Sequence, residues 1–272
     1  MLDSEHNFIP VMTSNAGLCL TALNWQEVKV TTASYSLESL LYKPGQEVLK
    51  KITDIKHYLG WSGAVVLNAS SLIAHREGVY ALKSPYDGSR IKLSAQELIE
   101  LIQHLKPDAI ILPKNILQDC PQFWDTWHDA IVPFFYHSDL LAQTIEREYG
   151  VYFNVSNESE FALLDQWSYR PRYVMGTIDT ALIEVLRTKG ISLIETDEPA
   201  KDALHGQVYS RTGNIDLMNS NTELQFEPID PDCTCPSCSQ KFTKAYFHHL
   251  LQHTPLLCQR LLIQHNVFWM AK

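Results

Sequence analysis

Residues 233–238 are Cys-Thr-Cys-Pro-Ser-Cys, a stretch that places three thiols within six positions of the chain. Cysteines at this C-x-C-x2-C spacing are too close to pair freely in disulfides, but their thiolates can converge on one tetrahedral metal ion. A helical segment follows and could bring His265 back as the fourth ligand. We therefore predict a closed, structural zinc site made of Cys233, Cys235, Cys238 and His265. The alternative is three reduced cysteines in a loop.

The rest of the chain indicates a globular protein with one sizeable core. It has 272 residues, of which 45% are hydrophobic, and this size is usual for a single α/β barrel. The sequence has no run of 18 apolar residues, and its first residues lack the pattern of an export signal. The other cysteines, Cys19, Cys120 and Cys258, are scattered, as expected in a reducing compartment. These features predict a soluble cytoplasmic protein that makes no membrane contact.

Charge is distributed unevenly along the chain. The formal net charge of −9 argues against broad, non-specific binding to nucleic acid. Residues 233–272, however, contain no aspartate or glutamate, and they carry Lys241, Lys244, Arg260, Lys272 and four histidines. This segment, which we call the basic pole, is suited to local contacts with phosphate groups. An ordinary solvated surface explains it equally well.

Strand and helix patterns alternate through most of the chain. Short apolar runs such as 64–67, 109–112 and 130–136 predict buried strands, and amphipathic segments between them predict helices, including one over 138–149. Repeated βα units predict a (β/α)8 TIM-type barrel, shortened or irregular, with a C-terminal zinc-binding subdomain. We place the barrel body at residues 1–205. Residues 206–272 are expected to add a hairpin, the zinc subdomain and a final helix that completes the barrel as a single structural unit.

Several motifs resemble those of the tRNA-guanine transglycosylases, the queuine/preQ1 tRNA-ribosyltransferases. C-x-C-x2-C, the A-Y-x-H-H-L of residues 245–250 and the R-L-L-x-x-H-N of residues 260–266 are similar to the family's zinc subdomain. Residues 84–89 are similar to its S-P-x-D-G-S motif, and residues 172–176 to its R-Y-L-M-G motif. The resemblance covers nearly the whole chain. It implies a TIM barrel, structural zinc and a role in queuosine modification of tRNA.

The motifs that carry the family's chemistry are altered here. Ala69 stands where the resemblance places the acid/base aspartate, and an alanine cannot transfer a proton. Lys114 replaces the aspartate that recognises guanine, so hydrogen-bond donors stand in place of acceptors. His137 lies in the segment that replaces a glycine-containing pocket element. Glu195 aligns with the nucleophilic aspartate and is one methylene longer, which a tightly held attack geometry seldom tolerates.

We therefore expect a family member with a degenerate pocket formed by Ala69, Lys114 and His137. The leading hypothesis is a non-catalytic partner or tRNA-docking homologue, either as a homodimer or as a heterodimer with an active transglycosylase. An active nucleic-acid base-exchange enzyme or glycosidase of altered substrate, with Glu195 as nucleophile, is the alternative from the enzyme class. A zinc-stabilised structural barrel that binds an unrelated ligand is the third interpretation.

Overall fold

The computed structural model describes residues 7–75, 78–140 and 145–271. Within these ranges, eight parallel strands form one sheet and two antiparallel pairs flank it. The strands are β1 Asn7–Ile9, β2 Thr32–Ser36, β3 Ala64–Asn68, β4 Val79–Lys83, β5 Arg90–Ser94, β6 Ala109–Ile111, β7 Val132–Tyr136, β8 Gly150–Asn154, β9 Arg172–Met175, β10 Leu193–Glu195, β11 Gln207–Val208 and β12 Ile215–Asp216. The helices are α1 Ala22–Glu27, α2 Leu37–Leu40, α3 Gln46–Leu49, α4 Ile55–Leu59, α5 Ala95–Leu105, α6 Ile116–Asp119, α7 Phe123–Thr126, α8 Glu158–Phe161, α9 Thr180–Thr188, α10 Glu198–Leu204, α11 Lys244–His253 and α12 Pro255–Met270.

The large sheet closes on itself. Its strands follow the order β1-β10-β9-β8-β7-β6-β3-β2, so β1 and β2 stand at the two edges. Just beyond β1, the Met12 N–H donates to the Ser34 carbonyl at 2.8 Å, and the Ser34 N–H donates to the Pro10 carbonyl at 3.0 Å. These bonds join the edges at the strands' carboxyl ends. The predicted (β/α)8 barrel is confirmed.

Local signals in the sequence position several elements. Ser94 and Glu97 form a reciprocal capping box that begins α5, as their spacing indicates. The turn around residues 84–89 joins β4 to β5 in an antiparallel hairpin. The apolar residues of 46–59 recur with a nearly helical period, but this segment forms two helices, α3 and α4, because Asp54 caps a new helix by accepting from the His57 N–H at 2.7 Å. Residues 141–144 of the helix predicted over 138–149 lie outside the described residues.

Apolar side chains fill the lower part of the barrel interior. Gly150 makes room for one of them, since a Cβ atom there would lie 2.2 Å from the Phe134 ring. Polar side chains point into the barrel at the carboxyl ends of the strands, beyond this layer of apolar side chains, because side chains alternate along each strand. The buried interior residues include Ile9, Val66, Ala109, Ile111, Phe134, Tyr152, Tyr173, Met175 and Leu193.

Helix α12 joins the cysteine-rich segment to the barrel. Buried Asn266 accepts from the Tyr209 N–H at 3.1 Å and donates to the carbonyls of Pro199 and Gln207 at 3.0 and 2.9 Å. The Arg187 guanidinium donates to the Met270 carbonyl at the far end of the helix. The described part of the chain contains no helix that is both long and apolar enough to cross a membrane.

Candidate metal centre and barrel-mouth cavity

The four predicted metal ligands converge in a buried cluster. The His265 Nδ1 atom lies 3.8, 3.5 and 3.2 Å from the sulfur atoms of Cys233, Cys235 and Cys238. All four ligand atoms lie within 4.8 Å of one another. Zinc bonds of about 2.3 Å to sulfur and about 2.0 Å to nitrogen require ligand separations of this kind around a tetrahedron. The residues present therefore fit zinc, with no ligand position left open for water.

The backbone around the cluster orients its ligands. His265 Nε2 lies 2.7 Å from the Tyr209 carbonyl, a contact that keeps the proton on Nε2 and leaves the Nδ1 lone pair for a metal ion. The Cys238 N–H donates to the Cys235 sulfur at 3.2 Å and helps to fix the position of this ligand. His265 is held in the middle of α12, whereas the cysteines lie in an irregular segment. The cluster thus attaches that segment to the final helix.

The second candidate site is a cavity of about 450 Å³ at the carboxyl ends of the barrel strands. Ligands of TIM barrels bind at this face, because the βα loops converge there. Hydroxyl and amide groups dominate its lining, and Glu195 and Asp197 supply its carboxylates. The other lining residues are Val11, Ser14, Ser34, Ser36, Asn68, Ser70, Ser71, Asn154, Ser156, Met175, Gly176, Thr177, Thr196 and Lys201.

Glu195 ends β10 with its carboxylate inside the barrel, where it is 7% exposed. The Tyr173 hydroxyl donates to Oε2 at 2.7 Å, and the Asn68 amide donates to Oε1 at 2.9 Å and to Oε2 at 3.2 Å. Burial raises the pKa of Glu195 above its ordinary value, while the hydrogen bonds from Tyr173 and Asn68 oppose this rise. Both oxygens of the predicted nucleophile are thus engaged by the protein itself.

Asn68 is the functional residue that sequence reasoning missed. It ends β3 on the same face as buried Val66, so its side chain enters the barrel and meets Glu195. Ala69, the predicted acid/base position, is fully buried among the outer core residues and does not line the described cavity. The alternation of side chains from Val66 to Asn68 was the sequence signal that could have identified Asn68 as a residue of the barrel interior.

Lys114 and His137 have different surroundings. Lys114 is exposed, and its Nζ atom lies 3.7 Å from the centre of the Tyr136 ring, at the edge of an adjoining cavity of about 500 Å³. The His137 ring stacks on Phe153 of the outer core at 5.4 Å and lines neither of these two cavities. Burial lowers the pKa of His137 below its ordinary value. From this segment it is Tyr136, one residue earlier, that lines the adjoining cavity.

Asp197 is a second carboxylate at the barrel mouth. Burial raises its pKa to about 6, and the Ser14 hydroxyl donates to its Oδ1 atom at 2.8 Å. Its backbone position, two residues beyond β10, allows it to line the same cavity as Glu195. A carboxyl group with this pKa can hold or release a proton near neutral pH. The mouth therefore offers one carboxylate bound by Tyr173 and Asn68 and one that titrates close to neutrality.

Comparison with known proteins relates both sites to one family. A family model described as queuine tRNA-ribosyltransferase matches residues 5–130 and 161–272. This match includes the Cys3His cluster and Glu195. It leaves out residues 131–160, the segment that contains β7 and β8. The described residues of this unmatched segment supply Tyr136, Tyr152 and Asn154 to the adjoining cavity.

Individual relatives are also named queuine tRNA-ribosyltransferase. The one from Halothermothrix orenii is 24% identical over 315 aligned positions, which cover 97% of this chain and 83% of that protein. The one from Dictyoglomus turgidum is 25% identical and covers 96% of this chain and 79% of its own length. One from Clostridium perfringens is 35% identical over 104 aligned residues, which cover 38% of this chain and 27% of that protein. With the family model matched over most of its length, this chain belongs to the queuine tRNA-ribosyltransferase family.

Proposed function

We propose that this protein is a non-exchanging member of the family that acts as a docking subunit, recruited to an active transglycosylase. The observation that carries the proposal is the bonding of Glu195. Its carboxylate is buried and accepts from both Tyr173 and Asn68, and the Asn68 amide that faces it cannot serve as an acid/base group. A nucleophile has to be ionised and free to attack; burial opposes the ionisation of Glu195, and the hydrogen bonds from Tyr173 and Asn68 hold both of its oxygens in place.

A surface on the zinc subdomain supports the docking role. Leu224, Phe226 and Tyr246 expose 76%, 71% and 41% of their surface. The segment that carries the first two lies against the start of α11, since the Ala245 N–H donates to the Gln225 carbonyl at 2.9 Å. Exposed apolar side chains that cluster in this way are typical of protein interaction surfaces. The Cys3His cluster keeps the underlying backbone ordered.

The basic pole supports contact with tRNA less strongly. Lys244 pairs with Glu227 at 2.8 Å, and the Arg260 guanidinium donates to Asn24 at 3.0 Å, so both cations are already engaged. Lys241 is exposed on a left-handed turn and is available to phosphate. Lys272 lies outside the described residues. We therefore assign the main docking role to a protein partner and treat tRNA affinity as a quantity to be measured.

Two assays test the proposal. Purified protein is first incubated with tRNA and labelled guanine, and no incorporation above that of Glu195→Gln is expected. The protein is then mixed with an active transglycosylase, and the complex is measured by analytical ultracentrifugation with and without tRNA. Phe226→Asp should abolish the complex, whereas Val185→Asp, on exposed α9, should leave it intact. Guanine incorporation that depends on Glu195, or a protein that stays alone under every condition, would reject the docking role.

The second candidate is an exchange enzyme or glycosidase with an altered substrate. The observation that favours it is the presence of Asp197, whose pKa of about 6 suits an acid/base group, in the same cavity as Glu195. In such an enzyme Glu195→Gln and Asp197→Asn would each abolish release of a base from tRNA or DNA. Retention of that release in both variants would remove this candidate.

A further inference from the structure

The adjoining cavity contains a buried hydroxyl group that the proposed function does not use. Tyr152 lines this cavity of about 500 Å³ and is 1% exposed, and its hydroxyl has no hydrogen-bond partner among the described residues. A buried hydroxyl without a partner costs about 1–3 kcal/mol, so such groups normally have one. Burial raises the pKa of Tyr152 above its ordinary value, and the group therefore keeps its proton and can donate.

A cation lies at the rim of the same cavity. Lys114 is exposed, and its ammonium group rests on the face of Tyr136 at 3.7 Å. The nearby carboxylate of Glu160 is already used, since it accepts from the Tyr136 hydroxyl at 2.9 Å and from the Asn154 N–H at 2.7 Å. The ion pairs between described residues do not include Lys114. Asp139 is the other carboxylate close enough to feel the charge of Lys114, and it accepts from the Asn115 N–H at 2.7 Å. Lys114 therefore keeps its ammonium donors for an anion at the rim.

We propose that Lys114 and Tyr152 form an anion-binding subsite for the phosphate of a small, nucleotide-type ligand. The ammonium supplies donors only, the protonated phenolic hydroxyl can donate one hydrogen bond, and a fully ionised phosphate supplies only acceptors. This inference goes beyond the proposed function, because it concerns a small ligand and requires neither tRNA nor a protein partner.

The remainder of such a ligand would extend toward Glu195. The two cavities share Ser70, Ser71, Asn154, Ser156 and Met175 and therefore lie side by side at the barrel mouth. Their volumes of about 450 and 500 Å³ lie in the usual range for small-molecule sites, about 300–1,000 Å³. The shared hydroxyl and amide groups match the hydroxyls of a ribose. A nucleotide with its phosphate at Lys114 thus points its sugar and base toward the cavity that contains Glu195.

The subsite is built mainly by the segment that the family model leaves out. Residues 131–160 supply Tyr136, Tyr152 and Asn154, together with Glu160. Lys114 comes from the loop after β6, which lies beside β7 in the sheet. The donors thus gather where this chain departs from the family model, which supports a ligand specific to this protein.

Calorimetric titration of the isolated full-length chain tests the subsite. The probes are guanosine 5′-monophosphate, guanosine and inorganic phosphate, all at one ionic strength. We expect the monophosphate to bind about tenfold more tightly than guanosine, as one charge-assisted hydrogen bond predicts. Lys114→Met should remove this difference, and Tyr152→Phe should reduce it while leaving guanosine affinity unchanged. Lys92→Met, an exposed lysine on β5, is the matched control and should behave as wild type.

Each other result counts against the subsite. Equal affinities for the monophosphate and guanosine, or no binding of any probe, would overturn it, as would a Lys114→Met variant that retains the difference. Inorganic phosphate that binds as tightly as the monophosphate would overturn the nucleotide assignment and identify a free phosphate site. Melting temperatures of the variants confirm that they are folded. Because these titrations contain neither tRNA nor a partner, their failure leaves the docking proposal standing, and the reverse also holds.

Discussion

The Cys3His cluster and the barrel mouth both bury polar side chains, but they satisfy them in different ways. In the cluster, four ligand atoms face one another within 4.8 Å, and their arrangement fits an ion. At the mouth, the Glu195 carboxylate is satisfied by Tyr173 and Asn68. The first arrangement could hold a metal ion that would stabilise the fold. The second satisfies a buried carboxylate, the predicted nucleophile, through hydrogen bonds. The comparison shows that one chain can satisfy buried polar groups either with a potential metal site or with hydrogen bonds.

The largest effect is expected from loss of a metal ligand. Cys235→Ser should remove zinc and lower the free energy of unfolding by about 3 kcal/mol or more, because zinc binding contributes directly to folding. Metal analysis should find about one zinc per wild-type chain and almost none in the variant. Urea denaturation measures the change in stability.

Cys19→Ser is the matched control, because Cys19 is partly exposed and lies outside the cluster. It should retain zinc and wild-type stability. Wild-type protein that is free of zinc, or a Cys235→Ser variant that keeps both metal and stability, would contradict the prediction that the Cys3His cluster binds a stabilising zinc ion. The cluster would then not differ from the barrel mouth in this respect.

A smaller loss of unfolding free energy is expected when a hydrogen bond to Glu195 is removed. Tyr173→Phe deletes one hydrogen bond to a buried carboxylate and should cost about 1.5–3 kcal/mol of unfolding free energy. The same change in a Glu195→Gln background should cost less, because a neutral amide accepts a weaker hydrogen bond. Chemical denaturation of the four proteins in this double-mutant cycle gives the coupling energy directly.

Tyr169→Phe, at a tyrosine that is 70% exposed, should cost little in either background. A coupling energy near zero would mean that the Tyr173 hydroxyl does not stabilise the carboxylate. Glu195 would then be less constrained than its contacts indicate, and the enzymatic alternative would gain support.

The smallest effect concerns Asp197 and pH. Its pKa of about 6 exceeds the ordinary aspartate value of 3.8, so the folded state binds this proton more tightly than the unfolded state. The resulting stabilisation is complete below about pH 4 and is lost as the pH rises through about 6. Asp197→Asn removes this loss, and its melting temperature should therefore rise relative to wild type between pH 4 and pH 7.5, by an amount equivalent to about 1–2 kcal/mol.

Exposed Asp125→Asn provides the control and should follow the wild-type pH profile. An Asp197→Asn profile parallel to that of wild type would show that this carboxyl is well solvated. The barrel mouth would then resemble an open surface more than a site with tuned proton affinity.

The metal cluster and the barrel were determined by sequence alone. Ligand spacing around residues 233–238 restricts the thiols to one small volume, and alternating βα patterns specify a parallel barrel whatever the detailed packing. The resemblance also directed attention to Glu195, whose role as a nucleophile stays a prediction. Each of these conclusions depends on local spacing or residue order, which a single sequence records directly.

Only the tertiary structure decided what the barrel mouth contains. Asn68 lies 127 positions from Glu195 in the chain, and barrel closure brings their side chains to 2.9 Å. Residue order assigned the pocket position to Ala69, whereas the pleat of β3 turns Ala69 outward and Asn68 inward. The unpartnered Tyr152 hydroxyl and the raised pKa of Asp197 likewise arise from burial. Burial depends on every surrounding element at once, so no local pattern could reveal it.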